Sequence, residues 1–303
     1  MDLRSFLLCW LLIVPAIADT TIRSLFEVNL DNDANAGCKS RAKTLETWLS
    51  ERNLQKVQKF LQGTPLPLDQ TPRMYCHDTW LKKLRRTDSA FDGDSSHYLK
   101  RINEDGSESE IPIEDVPDYR NMLWKLNEKD EVVSNGYVPY WSEELKQYVF
   151  DSDYGGKTPC TSDSVGAAQD MTRPSTITLC PLGFSNTAGG SVTLGSKTPK
   201  NKGIMDVLSR SVTFYHELFH LVLGSADTPD TTYDWEEMRE RLDSPKKRET
   251  TDGPTNEQLI RQNPETYVFF SVGYWFFLQQ SKWGTDSKKR WSFQSGSAEL
   301  VAL

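Results

Sequence analysis

The chain has 303 residues, with 35 lysines and arginines against 43 aspartates and glutamates, which gives a net charge of −8. Because nucleic acids and anionic membranes attract basic surfaces, this balance makes neither of them an expected partner. The length allows a sizeable buried core, and nine tryptophans, 13 phenylalanines and 11 tyrosines supply large side chains for it.

The N-terminus has the pattern of an export signal. A short head carrying Arg4 precedes an apolar run at residues 6–17, and Ala16 and Ala18 frame a small-residue cleavage site. The run is interrupted by Pro15 and is too short to span a bilayer, which argues against a retained membrane anchor. We predict a signal peptide at residues 1–18, cleavage after Ala18 and a secreted mature protein.

The cysteine count is consistent with an oxidising compartment. Cys9 leaves with the signal peptide, so the mature chain keeps four cysteines, an even number that suggests two disulfides. Four cysteines allow three pairings, and we favour the two pairs of sequential neighbours. A zinc site made of cysteines is disfavoured because no C-x-x-C pair occurs. The favoured pairs are Cys38 with Cys76 and Cys160 with Cys180.

The first two thirds of the mature chain predict both helices and strands. Apolar periodicity at residues 38–63 indicates one or two amphipathic helices. An acidic stretch rich in turn formers, residues 103–118, predicts a solvated loop. Tyrosine, valine and tryptophan at 136–150, and the segment at 175–180, predict strands. A glycine- and serine-rich segment at 185–202 then predicts an exposed loop. These elements together indicate an α+β fold.

The motif H-E-x-x-H at residues 216–220 lies in a predicted helix at residues 204–223, which Gly224 ends. Residues four apart share one helix face, so His216 and His220 can reach one metal ion while Glu217 points at the water beside it. The chain has four histidines in all, and two of them fall in this motif. The pattern is typical of zinc-dependent hydrolases.

A second helix start follows a polar stretch that extends to about Asn256. Asn263 is a preferred N-cap residue, Pro264 suits the first helical position, and Glu265 complements the positive end of the helix dipole. Residues 267–278 are apolar on nearly every face, so we expect this helix to be buried on several sides.

Two histidines leave a catalytic zinc site incomplete, because such sites usually have three protein ligands and an open position for water. The metzincin pattern would require a glycine three residues after His220, and Gly224 is one place late. A thermolysin-like arrangement would take a glutamate from a later helix, and both Glu257 and Glu265 could serve. The remaining candidates are the aspartates that follow the motif, Asp227, Asp230 and Asp234.

Thr228, Asp230 and Tyr233 follow the motif at the spacing T-x-D-x-x-Y. In this the chain resembles the aspzincin metallopeptidases, which include deuterolysin and the fungal peptidyl-Lys metalloendopeptidases. Their signature is H-E-x-x-H followed by G-T-x-D-x-x-Y-G, and its aspartate is the third zinc ligand. Asp227 and Asp234 replace the two glycines of that signature. With the related helix start at 263–267, the resemblance covers about residues 176–280.

The resemblance implies a zincin-like fold for residues 131–303, mainly helical with a small sheet next to the motif helix. It implies Zn2+ bound by His216, His220 and Asp230, with Tyr233 near the metal to steady an oxyanion or orient the substrate carbonyl. We predict a separate helical region at residues 19–130, either a retained subdomain or a pro-segment.

The predicted activity is that of a secreted zinc endopeptidase, in which Glu217 is the general base on a zinc-activated water. The alternative is a secreted, non-enzymatic zinc-binding or interaction protein with a zincin-like fold. The replaced glycines and the long polar segment at 225–256 favour the alternative, whereas the presence of Glu217 argues against it. We expect a monomer whose partners are protein or peptide substrates.

Overall fold

The fold is known from a computed structural model that describes most of the chain. The predicted signal peptide at 1–18 lies outside the described residues, as do positions 186–193 and 197 of the predicted loop at 185–202. The side chains of residues 50–53 also lie outside the description. The described residues are 20–28, 37–62, 70–93, 97–155, 158–161, 163–185, 194–196, 198–279 and 288–302.

Helices alternate with short strands along the described chain. The α-helices are α1 (Ile22–Leu25), α2 (Arg41–Gln62), α3 (Pro117–Leu123), α4 (Pro181–Phe184), α5 (Val212–Leu223), α6 (Trp235–Asp243), α7 (Asn256–Gln262) and α8 (Pro264–Leu278). The periodic stretch at 38–63 is therefore one helix, α2. The predicted start of α8 is confirmed, with Pro264 in its first turn.

The strands are short. They are β1 (Glu27–Val28), β2 (Arg73–Tyr75), β3 (Lys82–Lys83), β4 (Lys100–Ile102), β5 (Glu108–Glu110), β6 (Trp124–Leu126), β7 (Val132–Ser134), β8 (Tyr137–Ser142), β9 (Gln147–Ser152), β10 (Gly166–Gln169), β11 (Thr176–Leu179), β12 (Lys289–Ser292) and β13 (Glu299–Ala302). The strands predicted at 136–150 and 175–180 are confirmed as β8, β9 and β11.

The predicted α+β class is confirmed, with 34% of the described residues in helices and 24% in strands and with small sheets, although strands are more frequent than the prediction of a mainly helical fold implied. The difference is largest in residues 19–130, where strands β1 to β6 accompany α1, α2 and α3. Strands of two or three residues are too short for an alternating pattern to reveal them, and their pairing depends on distant partners. The limits of the predicted domains stay a prediction.

The predicted loop at 103–118 is also wrong in part. It contains β5, a 3-10 turn at Ile113–Asp115 and the start of α3. The acidic residues predicted a solvent-exposed segment. Ile113, however, is fully buried and packs with Ala90, Val116 and Leu123 in a small core. These apolar side chains fold the segment onto the neighbouring strands.

A four-stranded sheet supports the motif helix, in the order β1-β2-β11-β10. β2 pairs in parallel with both β1 and β11, whereas β10 pairs antiparallel with β11 and forms one edge. The small sheet predicted next to the motif helix is thus present, and α5 packs on its β10 and β11 strands. Strands from both sides of residue 130 build it.

A hydrophobic core joins this sheet to α2 and α5. Leu45 of α2, Met74 of β2, Ile177 of β11 and Leu218 of α5 are all at most 1% exposed and belong to one cluster. Burial of these side chains holds the motif helix against the sheet. A second cluster packs the other side of α5 against α8 and the β12–β13 hairpin.

The motif helix begins later than predicted. α5 starts at Val212, after a 3-10 turn at Met205–Val207 and an extended Leu208 with φ −56° and ψ 146°. Ile204, Val207 and Leu208 are buried in the second core, so their apolar spacing reflects packing of a turn rather than a continuous helix. The predicted end is confirmed, because Gly224 caps α5 with a φ of 90°.

Both predicted disulfides are confirmed, Cys38 with Cys76 and Cys160 with Cys180. The first ties the start of α2 to the end of β2, and the second ties the end of β11 to the segment before β10. Within the described ranges, every helix is too short or too polar to cross a bilayer.

Candidate metal centre

α5 buries the three motif side chains next to β10, the edge strand of the four-stranded sheet. His216, Glu217 and His220 are 5%, 6% and 7% exposed. The two imidazole rings are 4.9 Å apart between centroids, and their Nε2 atoms are 3.1 Å apart. The four-residue spacing within the helix therefore places two nitrogen ligands side by side.

Asp230 completes the group. Its Oδ1 lies 3.0 Å from His216 Nε2 and 3.1 Å from His220 Nε2, so the three atoms form a nearly equilateral triangle. Atoms that bind one tetrahedral zinc ion at its usual bond lengths lie about 3.3 Å apart. Spacing and donor set therefore fit a divalent metal, and His216, His220 and Asp230 could hold one ion.

Hydrogen bonds hold the turn that carries Asp230 at both of its ends. Asp170, which follows β10, accepts hydrogen bonds from the Ser225 N–H at 2.8 Å and from the Ser225 hydroxyl at 3.3 Å. Further along, the Asn263 side chain donates to the Thr232 carbonyl at 2.8 Å. Asn263 was predicted as a helix cap, but its side chain makes no capping bond and instead anchors this turn.

The two aspartates that replace the signature glycines adopt ordinary backbone conformations. Asp234 has φ −104° and caps α6 by accepting from the Glu236 and Glu237 N–H groups, and Asp227 has no positive φ. Left-handed conformations are where glycine is strongly favoured, so the turn does not need glycine at either place. α6 itself was not predicted, because it lies within the polar segment at 225–256.

The other candidates for the third ligand lie elsewhere. Asp227 is exposed, in the turn after α5. Glu257 is exposed and faces Arg261 at 3.8 Å. Glu265 is close to the site but contacts the far side of a histidine, with its Oε2 3.0 Å from His216 Nδ1.

The charges within the site depend strongly on one another. Burial lowers the pKa of His216, but hydrogen bonds to Asp230 and Glu265 outweigh it and raise the pKa to about 10. Burial raises the pKa of Asp230, but hydrogen bonds to His216 and His220 outweigh it and hold the pKa far below the usual range. At neutral pH, protonated His216 thus faces ionised Asp230, and a bound cation must displace that proton.

Glu217 lies against strand β10. Burial raises its pKa to about 7, in spite of the neighbouring histidines and a hydrogen bond donated by the Ala168 N–H. Gly166 provides the room, because a Cβ at that position would lie only 2.8 Å from Glu217 Oε1. A carboxyl group with a pKa near neutrality is well suited to accept and return a proton.

Tyr233 stacks on His216, with ring centroids 5.4 Å apart. Although 57% of this residue is exposed, its hydroxyl end lies against Asp230. Burial of that end and the charge of Asp230 both raise the pKa of Tyr233 above its usual range. The phenol therefore keeps its proton at neutral pH and can donate a hydrogen bond.

These groups open into a cavity of about 360 Å³ beside the edge strand β10. Tyr154 and Asp151 also line it, and the Tyr154 hydroxyl donates to Asp151 Oδ2 at 3.0 Å. Burial raises the pKa of both groups, with the negative charge of Asp151 adding to the effect on Tyr154. The cavity is lined by Asp151, Tyr154, Pro159, Ser164, Gly166, Ala167, Ala168, Glu217, His220, Ser225, Thr228, Asp230 and Tyr233.

Comparison with protein-family models, curated proteins and solved structures found no match. The resemblance to aspzincins stays a prediction that rests on the motif residues.

Several residues of the site could not be found from the sequence. Gly166, Asp170, Asp151 and Tyr154 belong to no local motif. Gly166 and Asp170 come to α5 because β10 pairs with β11, whereas Asp151 and Tyr154 come from β9 and the residues after it, in a separate sheet. Thr228 did carry a signal, since it stands in register with the signature. Glu265 was predicted as a candidate third ligand, but its actual contact, with Nδ1 of His216, depends on how α8 packs against α5.

Proposed function

We propose that the chain is a secreted zinc-dependent endopeptidase. The observation that carries this proposal is the triangle formed by His216, His220 and Asp230, with the carboxyl group of Glu217 beside it in a cavity. Two neutral nitrogens and one carboxylate are a common donor set for catalytic zinc. Zinc bound there would supply a Lewis acid that polarises a carbonyl and lowers the pKa of water to about 7.

Glu217 has the features of the proton carrier. In the metal-free protein, burial raises the pKa of its carboxyl group to about 7. A carboxyl group at this place could take a proton from the attacking water and later return it to the leaving amine. The Ala168 N–H fixes one side of the carboxyl group. A protein that only stored metal would have no need for an acid buried at this place.

Tyr233 is suited to stabilise the oxyanion that forms at the substrate carbonyl. Its phenol keeps its proton and lies next to Asp230, at the mouth of the cavity. A donor held at such a position stabilises developing negative charge more than it stabilises the ground state.

The surroundings support a polypeptide substrate. β10 forms the edge of its sheet among the described strands, and three of its residues line the cavity. An extended peptide can pair with such an edge through main-chain hydrogen bonds. Two disulfides support an oxidising compartment, in agreement with the predicted signal peptide.

The test uses three single variants of the full secreted chain and measures zinc content together with cleavage of a denatured protein. Glu217→Gln should retain zinc and lose cleavage, because an amide cannot take the proton. Asp230→Ala should lose zinc affinity. Asp227→Asn is the matched control, an exposed aspartate of the same turn, and should keep both properties.

Chelator-sensitive cleavage by the wild-type protein would support the enzyme. If the zinc-loaded wild type cleaves neither denatured proteins nor peptides, the non-enzymatic alternative is correct. If Asp230→Ala keeps wild-type zinc content and rate, the third ligand has been assigned to the wrong residue.

A further inference from the structure

We propose that Glu265 and Thr228 are positioning residues, which hold His216 and His220 in the Nδ1–H tautomer and thereby set the affinity of the site for zinc. The inference rests on the proposed function, because it concerns the same three ligands. It assigns roles to two side chains that are not metal ligands themselves.

The first contact joins Glu265 to His216. The carboxylate Oε2 lies 3.0 Å from His216 Nδ1, and the two residues are only 7% and 5% exposed. A carboxylate only accepts hydrogen bonds, so the imidazole must carry a proton on Nδ1. On the other side of the ring, Nε2 faces the Asp230 carboxylate at 3.0 Å. A metal ion that displaces the proton from Nε2 therefore leaves the ring as the Nδ1–H tautomer, with its Nε2 lone pair directed at the ion.

The second contact joins Thr228 to His220, and here the donor can be deduced. The Thr228 hydroxyl lies 2.7 Å from the Gly224 carbonyl and 3.0 Å from His220 Nδ1. A hydroxyl has one hydrogen, and the carbonyl can only accept it. The hydroxyl must therefore accept from His220 Nδ1–H, so Nε2, which faces Asp230 Oδ1 at 3.1 Å, is the nitrogen that can bind a metal.

Both partners are held by structure outside the triangle. Glu265 lies in the first turn of α8, next to Asn263, which bonds to the Thr232 carbonyl. Thr228 is bound to the turn after α5, because its own N–H also reaches the Gly224 carbonyl at 3.1 Å. Each ring is thus oriented by a residue that the fold holds outside the triangle, and such outer contacts usually fix the tautomer of metal-binding histidines.

The two contacts differ in charge, which makes them separable. A carboxylate behind His216 increases the basicity of the ring as well as orienting it, whereas a hydroxyl behind His220 mainly orients the ring. Glu265→Gln keeps an acceptor but removes the charge. Thr228→Val removes the hydroxyl acceptor and keeps the shape of the side chain. The backbone N–H of residue 228 still donates to the Gly224 carbonyl. Thr228→Ser retains the hydroxyl and is the matched control.

The zinc dissociation constants of the full-length variants are measured by competition with a chromophoric chelator. Glu265→Gln and Thr228→Val should each bind zinc about 10- to 100-fold more weakly, and Thr228→Ser should bind like the wild type. Melting temperatures of the metal-free proteins are measured in parallel. A purely structural role would lower these temperatures and leave the dissociation constants unchanged, which would overturn the inference.

The tautomers can be determined directly by NMR, from two-bond 1H–15N correlation spectra of the zinc-loaded protein with 15N-labelled histidines. The chain has only four histidines, so the ring signals can be assigned one by one. Nδ1–H at both His216 and His220 is the expected result, and Nε2–H at either overturns the inference. A wild type that binds no zinc would refute the proposed function itself, whereas a zinc-binding wild type with unaffected variants would refute only the positioning roles.

Discussion

Replacing Gly166 by alanine tests whether the position of Glu217 limits the proposed peptide hydrolysis. The new Cβ would lie 2.8 Å from Glu217 Oε1, 3.1 Å from Glu217 Cγ and 3.0 Å from Thr213 Cγ2, whereas ordinary contacts begin at 3.4 Å. Because strand β10 is held by its pairing with β11, the Glu217 side chain must give way by about 0.6 Å. The backbone of Gly166 is not left-handed, so the effect is one of space alone.

The expected loss follows from the geometry. A misplacement of about 1 Å in a reacting group can cost about 100-fold in rate, so a smaller shift should lower kcat/KM by about 10- to 100-fold. This corresponds to about 1.4–2.7 kcal/mol in the activation free energy. Zinc content should not change, since the contacts of the new methyl group do not include His216 or His220. Crowding should also lower the free energy of unfolding by about 1–3 kcal/mol.

The assay compares Gly166→Ala with wild type in peptide cleavage, zinc content and chemical denaturation. Gly273→Ala is the control, because a Cβ in that part of α8 meets its nearest neighbours only at 3.8–4.0 Å. Alanine there should stabilise the helix by about 0.5–1 kcal/mol and leave cleavage unchanged. A Gly166→Ala protein that cleaves at the wild-type rate would refute the argument that Glu217 must sit in its present place.

Two other predictions concern pH and covalent structure. The metal-free protein should lose thermal stability as pH rises from about 6.5 to about 10, because His216 keeps in the folded state a proton that it releases when unfolded. Glu217, whose pKa is also raised, contributes a loss of stability in the same direction up to about pH 7. In a chelating buffer, a melting temperature that rises between about pH 6.5 and about pH 10 would contradict the raised pKa values of His216 and Glu217. Replacing Cys38 and Cys76 by serine opens a loop that spans 38 residues and should lower the free energy of unfolding by about 4 kcal/mol. Denaturation midpoints measure that loss, and an unchanged midpoint would show that the unfolded chain is compact without the crosslink.

Local signals in the sequence were sufficient for some elements. Proline at the start of α8 and glycine at the end of α5 act within one turn of helix, so their effect can be read from neighbouring residues. Both disulfides were predicted from order along the chain. The face shared by His216 and His220 follows from helix geometry alone.

Other features depend on packing that no local pattern records. The start of α5 was misplaced because buried turn residues such as Leu208 continue the apolar spacing of the helix. α6 is polar and mostly exposed, and Asp234 was predicted only as a candidate zinc ligand that replaces a signature glycine, whereas it is the N-cap of this helix. Gly166 needs to be small only because β10 lies against Glu217, and the pairing of β10 with β11 decides that.

The central position of β2 also constrains the order in which the chain can fold. Arg73 of β2 pairs with Thr176 of β11, so closing the sheet means joining segments about a hundred residues apart. β10 can pair with its neighbour locally, but α5 rests on a sheet that also needs β2. The entropy cost of closing the loop between β2 and β11 opposes the formation of this sheet until the two strands pair. We therefore expect the candidate metal centre to form late in folding, because the helix that carries both histidines packs on a sheet that is complete only when this long loop has closed.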